Sequence, residues 1–226
     1  MFRALLFDFD GVILDTETPL YEAWSRLYRE YGHVLSMQQW AANVGGYAYD
    51  VFDPYAELER RIGRSLDRDA LKLLRRQWYL QRLSLQRPAS GLTEILRAAR
   101  ERGIVLGVAS SSDREWVHGH LRRLGLIEYF AAVACGDEVT RVKPDPAVYQ
   151  LCLARLGVAS EESVAVEDSP RGIAAARSAN VYCIAVPNPV TGSMDLGGAQ
   201  WKLSSLADYA PEAFLDEVAA RHADSF

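Results

Sequence analysis

Residues Leu5–Glu17 read LLFDFDGVILDTE. A short apolar run leads into three aspartates, Asp8, Asp10 and Asp15, with Gly11 among them. Carboxylates this close repel one another, so crowding them at the end of a strand calls for a compensating cation or a chemical use. The run itself, Ala4–Phe9 (ALLFDF), does not alternate in the manner of a half-buried strand. Four further runs share that character: Ile104–Ala109 (IVLGVA), Ala131–Cys135 (AAVAC), Ser163–Val166 (SVAV) and Tyr182–Val186 (YCIAV). Continuous apolar strands are buried on both faces, the habit of parallel sheets.

Helical patterns lie between these runs. Leu92–Arg102 stops at Gly103, Arg114–Leu124 at Gly125 and Ala147–Leu156 at Gly157, each glycine suiting the left-handed position just past a helix. Strands alternating with helices of this length predict a parallel α/β sheet with right-handed crossovers. The stretch from about Asp15 to Pro88 is different, because it carries no convincing strand. Thr18 and Pro19 look like an N-cap and first helical residue of a helix ending near Gly32, and Asp67–Leu85 is a second long helical pattern. Seventy-odd helical residues exceed any simple crossover. The expected organisation is an α/β core of residues 1–15 and 89–226 and an inserted helical domain of residues 16–88, with hinges near Val12–Thr16 and Gln86–Gly91.

Composition narrows the classes of function. The 226 residues are 49% hydrophobic, enough for a substantial core, and the net charge of −5 with no basic block argues against nucleic acid as a partner. Cys135, Cys152 and Cys183 are odd in number and lack CxxC spacing, so they read as reduced core thiols. No apolar stretch approaches the ~18 residues of a membrane span, and Asp8 and Asp10 interrupt the first apolar run in a way no signal peptide would. The expectation is a soluble cytoplasmic protein without a membrane partner, for which a monomer would suffice.

Ligands of parallel α/β sheets bind beyond the carboxyl ends of the strands. Each predicted strand delivers polar groups there: Asp8, Asp10 and Gly11; Ser110, Ser111, Ser112 and Asp113; Gly136, Asp137 and Glu138, followed by Lys143 in VKPDP; and Glu167, Asp168 and Ser169. Four of these acids, Asp8, Asp10, Glu167 and Asp168, could meet an anionic ligand only with cations present. An all-oxygen set of this kind suits Mg²⁺. Lys143 is one of three lysines in a chain that otherwise uses arginine, which points to a need for a compact ammonium.

DFDGVILDTE, VASSS, VKPDP and VEDSPRG, in this order, resemble the four motifs of the haloacid dehalogenase-like hydrolase superfamily. The insert resembles the C1-type cap of its phosphoglycolate phosphatase and β-phosphoglucomutase branch. The likeness implies a Rossmann-like parallel sheet with helices on both faces and an α-helical cap. It implies a Mg²⁺-dependent phosphatase acting on a small phosphorylated metabolite, either a sugar phosphate or phosphoglycolate-like. Asp8 would be the nucleophile, forming an aspartyl-phosphate. Asp10, on the same side if the chain stays extended, would be general acid and then base, and needs a raised pKa for the first task. The resemblance makes Asp8, the Asp10 carbonyl and Asp168 metal ligands, with Glu167 acting through water. Ser110, Ser111 and Lys143 would hold phosphate. The family often has Gly or Ser where Val142 precedes this lysine.

Other readings are weighed on particular residues. A sugar phosphomutase of the same branch carries a histidine five residues after the DT aspartate, where this chain has Leu20. A dehalogenase lacks the second aspartate, and a phosphonatase needs a cap lysine, for which only Lys72 is available. A non-catalytic binding protein would have lost Asp8, Asp10 or Asp168, all present. Asp15 and Thr16 are expected to fix the hinge turn, Trp24, Trp40 and Trp78 to build the cap core, and His118 and His120 to lie on the surface. In GGYAYD, Gly46 and Tyr47 fall where C1 caps place a substrate-contacting loop.

Overall fold

The computed structural model describes residues 2–41 and 52–225. Among the described residues six strands form one parallel sheet: β1 (Ala4–Phe7), β2 (Val105–Ala109), β3 (Ala132–Ala134), β4 (Ser163–Glu167), β5 (Tyr182–Ala185) and β6 (Trp201–Lys202). Helices in chain order are α1 (Glu17–Glu30), α2 (Met37–Ala41), α3 (Pro54–Ile62), α4 (Arg68–Ser84), α5 (Leu92–Glu101), α6 (Arg114–Arg123), α7 (Ala147–Leu156), α8 (Pro170–Ser178) and α9 (Pro211–Ala223). All five strands expected from the sequence are present, each within a residue or two of its predicted ends. The two-residue β6 and the helices α8 and α9 are additions that local pattern did not single out.

The strand order is β3-β2-β1-β4-β5-β6. The chain builds outward from β1 to β3 and then returns to the other side of β1. Right-handed crossovers therefore set α5 and α6 on one face and α7 and α8 on the other. The reversal makes the gap between β1 and β4 the switch point of the sheet, where loops leave in opposite directions and open a crevice. Register brings Phe7 level with Val108 on one side and Val166 on the other, so Asp8, one residue past β1, is level with Glu167 at the end of β4. The strand side chains Leu5, Leu6, Phe7, Val108, Val164 and Val166 are fully buried, which fixes that register.

Two compact units divide the chain: Met1–Leu14, Arg87–Pro187 and Asp195–Phe226 in one, Asp15–Gln86 and Asn188–Met194 in the other. The first holds the sheet and α5 to α9. The second holds α1 to α4 around Trp24, Leu27, Tyr28, Leu35, Trp40, Tyr55 and Leu58, with Trp78 partly buried against them. Trp24 and Tyr55 meet edge to face with centroids 4.5 Å apart, and the Tyr28 hydroxyl donates to the Pro54 carbonyl at 2.7 Å. The segment Asn188–Met194, expected in the α/β core, belongs to the helical unit, with Val190 fully buried in its apolar cluster. Helix α1 also begins earlier than Thr18 suggested. Asp15 Oδ1 accepts the Thr18 N–H at 2.9 Å, so the upstream aspartate does the capping.

Candidate active site

Local backbone geometry decides where the two first aspartates point. Asp8 continues the ladder by one bond, its N–H donating to the Val166 carbonyl at 3.0 Å. Beyond it the chain turns. Ile13 and Leu14 both donate to the Phe9 carbonyl, and Gly11 sits at φ 90°, a conformation that favours glycine. The chain is therefore no longer extended past Phe9, and Asp10 is placed by this turn. Its Oδ2 accepts from the Ser112 hydroxyl at 2.6 Å and its Oδ1 from the Trp116 indole N–H at 3.0 Å.

Asp8, Glu167 and Asp168 come together. Each offers a carboxylate oxygen lying within 4.8 Å of the other two, and all three are buried. Lys143, only 6% exposed, donates from Nζ to Asp8 Oδ1 and Glu167 Oε1, both at 2.6 Å. Val142 thus does not keep the lysine from its target. The Arg171 guanidinium holds the Lys143 carbonyl, with Nη2 at 2.9 Å, and the Tyr149 hydroxyl donates to Glu167 Oε1 at 2.5 Å. Ammonium and phenol both load Oε1, while Glu167 Oε2 is buried without a hydrogen bond.

Glu167 is pressed against Gly172 in the first turn of α8. A Cβ at residue 172 would fall 1.9 Å from Oε2 and 2.3 Å from Oε1. The helix starts where it does because Ser169 caps it, accepting the Gly172 N–H, and Pro170 occupies its first position. Cap, proline and glycine in DSPRG together bring the helix start close to the carboxylate.

Electrostatics follow from the count of charges. Burial pushes the Asp8 carboxyl well above its usual range against the pull of Lys143, and Glu167 and Asp10 push the same way. Burial also works against the Lys143 ammonium, but Asp8 and Glu167 more than offset it and hold the charge in place. Three buried carboxylates facing one ammonium leave the site short of positive charge. An oxygen-donor set with an unpartnered buried oxygen and a charge deficit fits a hard divalent cation.

Ser110 is buried at the end of β2, where its N–H donates to the Ala134 carbonyl and its Oγ accepts the Ser112 N–H at 3.0 Å. Ser111 is exposed, and its carbonyl approaches Gly136 so closely that a Cβ there would meet it at 2.0 Å. Asp137 and Glu138 serve the scaffold: Asp137 accepts the Arg114 N–H, and Glu138 pairs with Arg114 and Arg155. Gly46 and Tyr47 lie outside the described residues. His118 and His120, expected on the surface, are half-buried, and His120 packs edge-on against Trp116 with centroids 4.3 Å apart. The sequence reading passed over Ser112, Trp116, Tyr149 and Arg171 as site residues. Ser112 stood among the polar groups after the second strand and Arg171 within VEDSPRG, but Trp116 and Tyr149 carried no signal of a site role.

Sheet topology and this lysine–carboxylate cluster at the switch point define a hydrolase of the haloacid dehalogenase type. The family model for haloacid dehalogenase-like hydrolases matches residues 5–186, and the chain belongs to that family. It is 39% identical over 218 residues to the "Putative phosphatase YhcW" of Bacillus subtilis, covering 96% of this chain and 98% of that one. It is 31% identical over 224 residues to the "Phosphorylated carbohydrates phosphatase" of Thermotoga maritima, covering 95% and 97%. Among solved structures, a haloacid dehalogenase family hydrolase of Deinococcus radiodurans with bound phosphate and sodium superposes with a TM-score of 0.80. That match has 27% identity and covers 96% of each chain. No helix among the described residues is long and apolar enough to cross a membrane.

Proposed function

We propose that this enzyme is a Mg²⁺-dependent phosphatase that hydrolyses small phosphorylated metabolites, sugar phosphates in the first place, through an aspartyl-phosphate on Asp8. The observation that carries this reading is the Lys143 ammonium 2.6 Å from Asp8 Oδ1 within a buried group of three carboxylates. A carboxylate held there has a counter-charge on one oxygen, which leaves the other for attack on phosphorus. The names of the relatives support the substrate class, since one is a phosphatase of phosphorylated carbohydrates.

In the first step Asp8 attacks phosphorus and the ester P–O bond breaks, while Asp10 gives its proton to the leaving alcohol oxygen. In the second, water attacks the phosphorus of the aspartyl-phosphate. Asp10 takes the water's proton, and the acyl-phosphate bond breaks to return the Asp8 carboxylate. General acid–base help of this kind is worth about 10²–10⁴-fold. Asp8 and Asp168 would hold Mg²⁺, together with the Asp10 carbonyl and with Glu167 acting through water; the ion would supply positive charge to the transferring phosphoryl group. Ser110, the N–H groups of the Ser111–Ser112 turn and Lys143 would bind phosphate oxygens. Gly46 and Tyr47 keep the role in substrate choice that the family resemblance implies, to be tested by Tyr47→Ala on an ester panel. The composition supports a cytoplasmic setting.

The direct test is phosphate release from a panel of phosphorylated metabolites with Mg²⁺. Release from sugar phosphates by the wild type and none by Asp8→Asn is expected. Equal rates for the two proteins would refute the reading.

A further inference from the structure

We infer that Trp116 is a positioning residue for Asp10, acting with Ser112 to fix which carboxylate oxygen handles the proton; this deepens the phosphatase reading and rests on it. The arrangement is built from three elements. Asp113 caps α6 and accepts the Trp116 backbone N–H at 2.8 Å, which sets the indole at the first turn. The ring is held from the side by His120, with centroids 4.3 Å apart, and His120 itself lies against Phe9, next to Asp10 in sequence, at 6.1 Å. Arg123 Nε donates to His120 Nδ1 at 3.2 Å and fixes that ring in turn. From this position the indole N–H reaches Asp10 Oδ1 at 3.0 Å, while Ser112 Oγ lies 2.6 Å from Oδ2.

The two partners differ in chemistry. An indole N–H donates and cannot accept, whereas a hydroxyl does both. Oδ1 must therefore remain an acceptor in either state of the carboxyl. When Asp10 carries a proton, Oδ2 bears it, because its Ser112 partner can accept; as the proton passes to the alcohol oxygen that bond breaks and the Ser112 hydroxyl turns back to donate to Oδ2. The oxygen that gives its proton to the leaving alcohol, and later receives one from water, is thus Oδ2. Without the indole the carboxyl could rotate about its own axis and present either oxygen, so a fraction of encounters would find the proton misplaced.

The readout is dependence on the leaving group. Protonation matters for a sugar alcohol and much less for p-nitrophenolate, which departs as an anion. kcat/KM reports the step that forms the aspartyl-phosphate. Trp116→Phe, which keeps the ring and removes the donor, should lower kcat/KM for a sugar phosphate about tenfold more than for p-nitrophenyl phosphate, within the general-acid range. Ser112→Ala should show the same dependence. A merely structural role would lower both esters alike. An active wild type whose Trp116→Phe variant loses equally on both esters, or on neither, overturns the positioning role. A wild type that hydrolyses no phosphate ester instead removes the phosphatase reading. Should Trp116→Phe fail to fold, the indole N–H resonances decide. Asp10→Asn should move one of the five tryptophan signals and spare the other four. No movement would show that the indole does not address this carboxylate.

Discussion

Lys143 holds two buried carboxylates with one ammonium, and removing it leaves them facing each other without a counter-charge. Lys143→Met should cost about 3–5 kcal/mol, the range for breaking a buried ion pair, and should abolish turnover. Thermal unfolding within 1 °C of wild type would contradict the burial argument. Gly172 is the second sensitive point. Gly172→Ala sets a methyl group where the Glu167 carboxylate sits, so the carboxylate or the start of α8 must move. A loss of about 1–3 kcal/mol is expected, as for other overpacked sites, together with a weaker response to Mg²⁺. Asp8, Glu167 and Asp168 were readable because acids are unusual at the end of an apolar run, and Lys143 because lysine is rare in this chain. Tyr149 and Trp116 were not, because a buried tyrosine and a helix tryptophan are ordinary core residues until a partner 2.5–3.0 Å away is seen.

Periodicity located the elements of the sheet well, since strands buried on both faces leave continuous apolar runs. It failed where tertiary contacts decide membership. Asn188–Met194 has no helical or strand pattern, and the packing of Val190 and Met194 against the apolar cluster of Trp24, Tyr28 and Trp40 places it in the helical unit. The start of α1 was misplaced because Asp15 and Thr18 are both acceptable caps in sequence, and the hydrogen bond chooses Asp15. Helix α3 yields a pH prediction. Hydrogen bonds from Arg60 and then Arg61 lower the Glu57 carboxyl from 4.5 to about 2. Its folded value lies below its unfolded one, so its stabilisation is present above pH 4.5 and disappears as pH falls towards 2. Glu57→Gln should therefore reduce stability at neutral pH by roughly 1 kcal/mol or less, since Arg60 is well exposed. The gap to wild type should close on acidification, and a gap that persists unchanged at low pH would contradict the pairing.

The whole molecule brings the ends of β1 and β4 together at the switch point of the sheet, and this topology places Asp8 beside Glu167 and Asp168. A cation that binds only the folded chain stabilises it, by about 2.7 kcal/mol at a hundredfold excess over Kd. Mg²⁺ should raise the melting temperature of the wild type, and Asp168→Ala should remove most of that rise. Chelation should abolish turnover without unfolding the chain. On the proposed mechanism Asp8 becomes covalently phosphorylated. This is tested most directly by mixing enzyme, Mg²⁺ and a ³²P-labelled sugar phosphate, quenching in acid within the first turnover, and mapping the label. Label is expected on Asp8 alone and absent from Asp8→Asn. Label on any other residue, or rapid phosphate release with no labelled protein at any quench time, would contradict it.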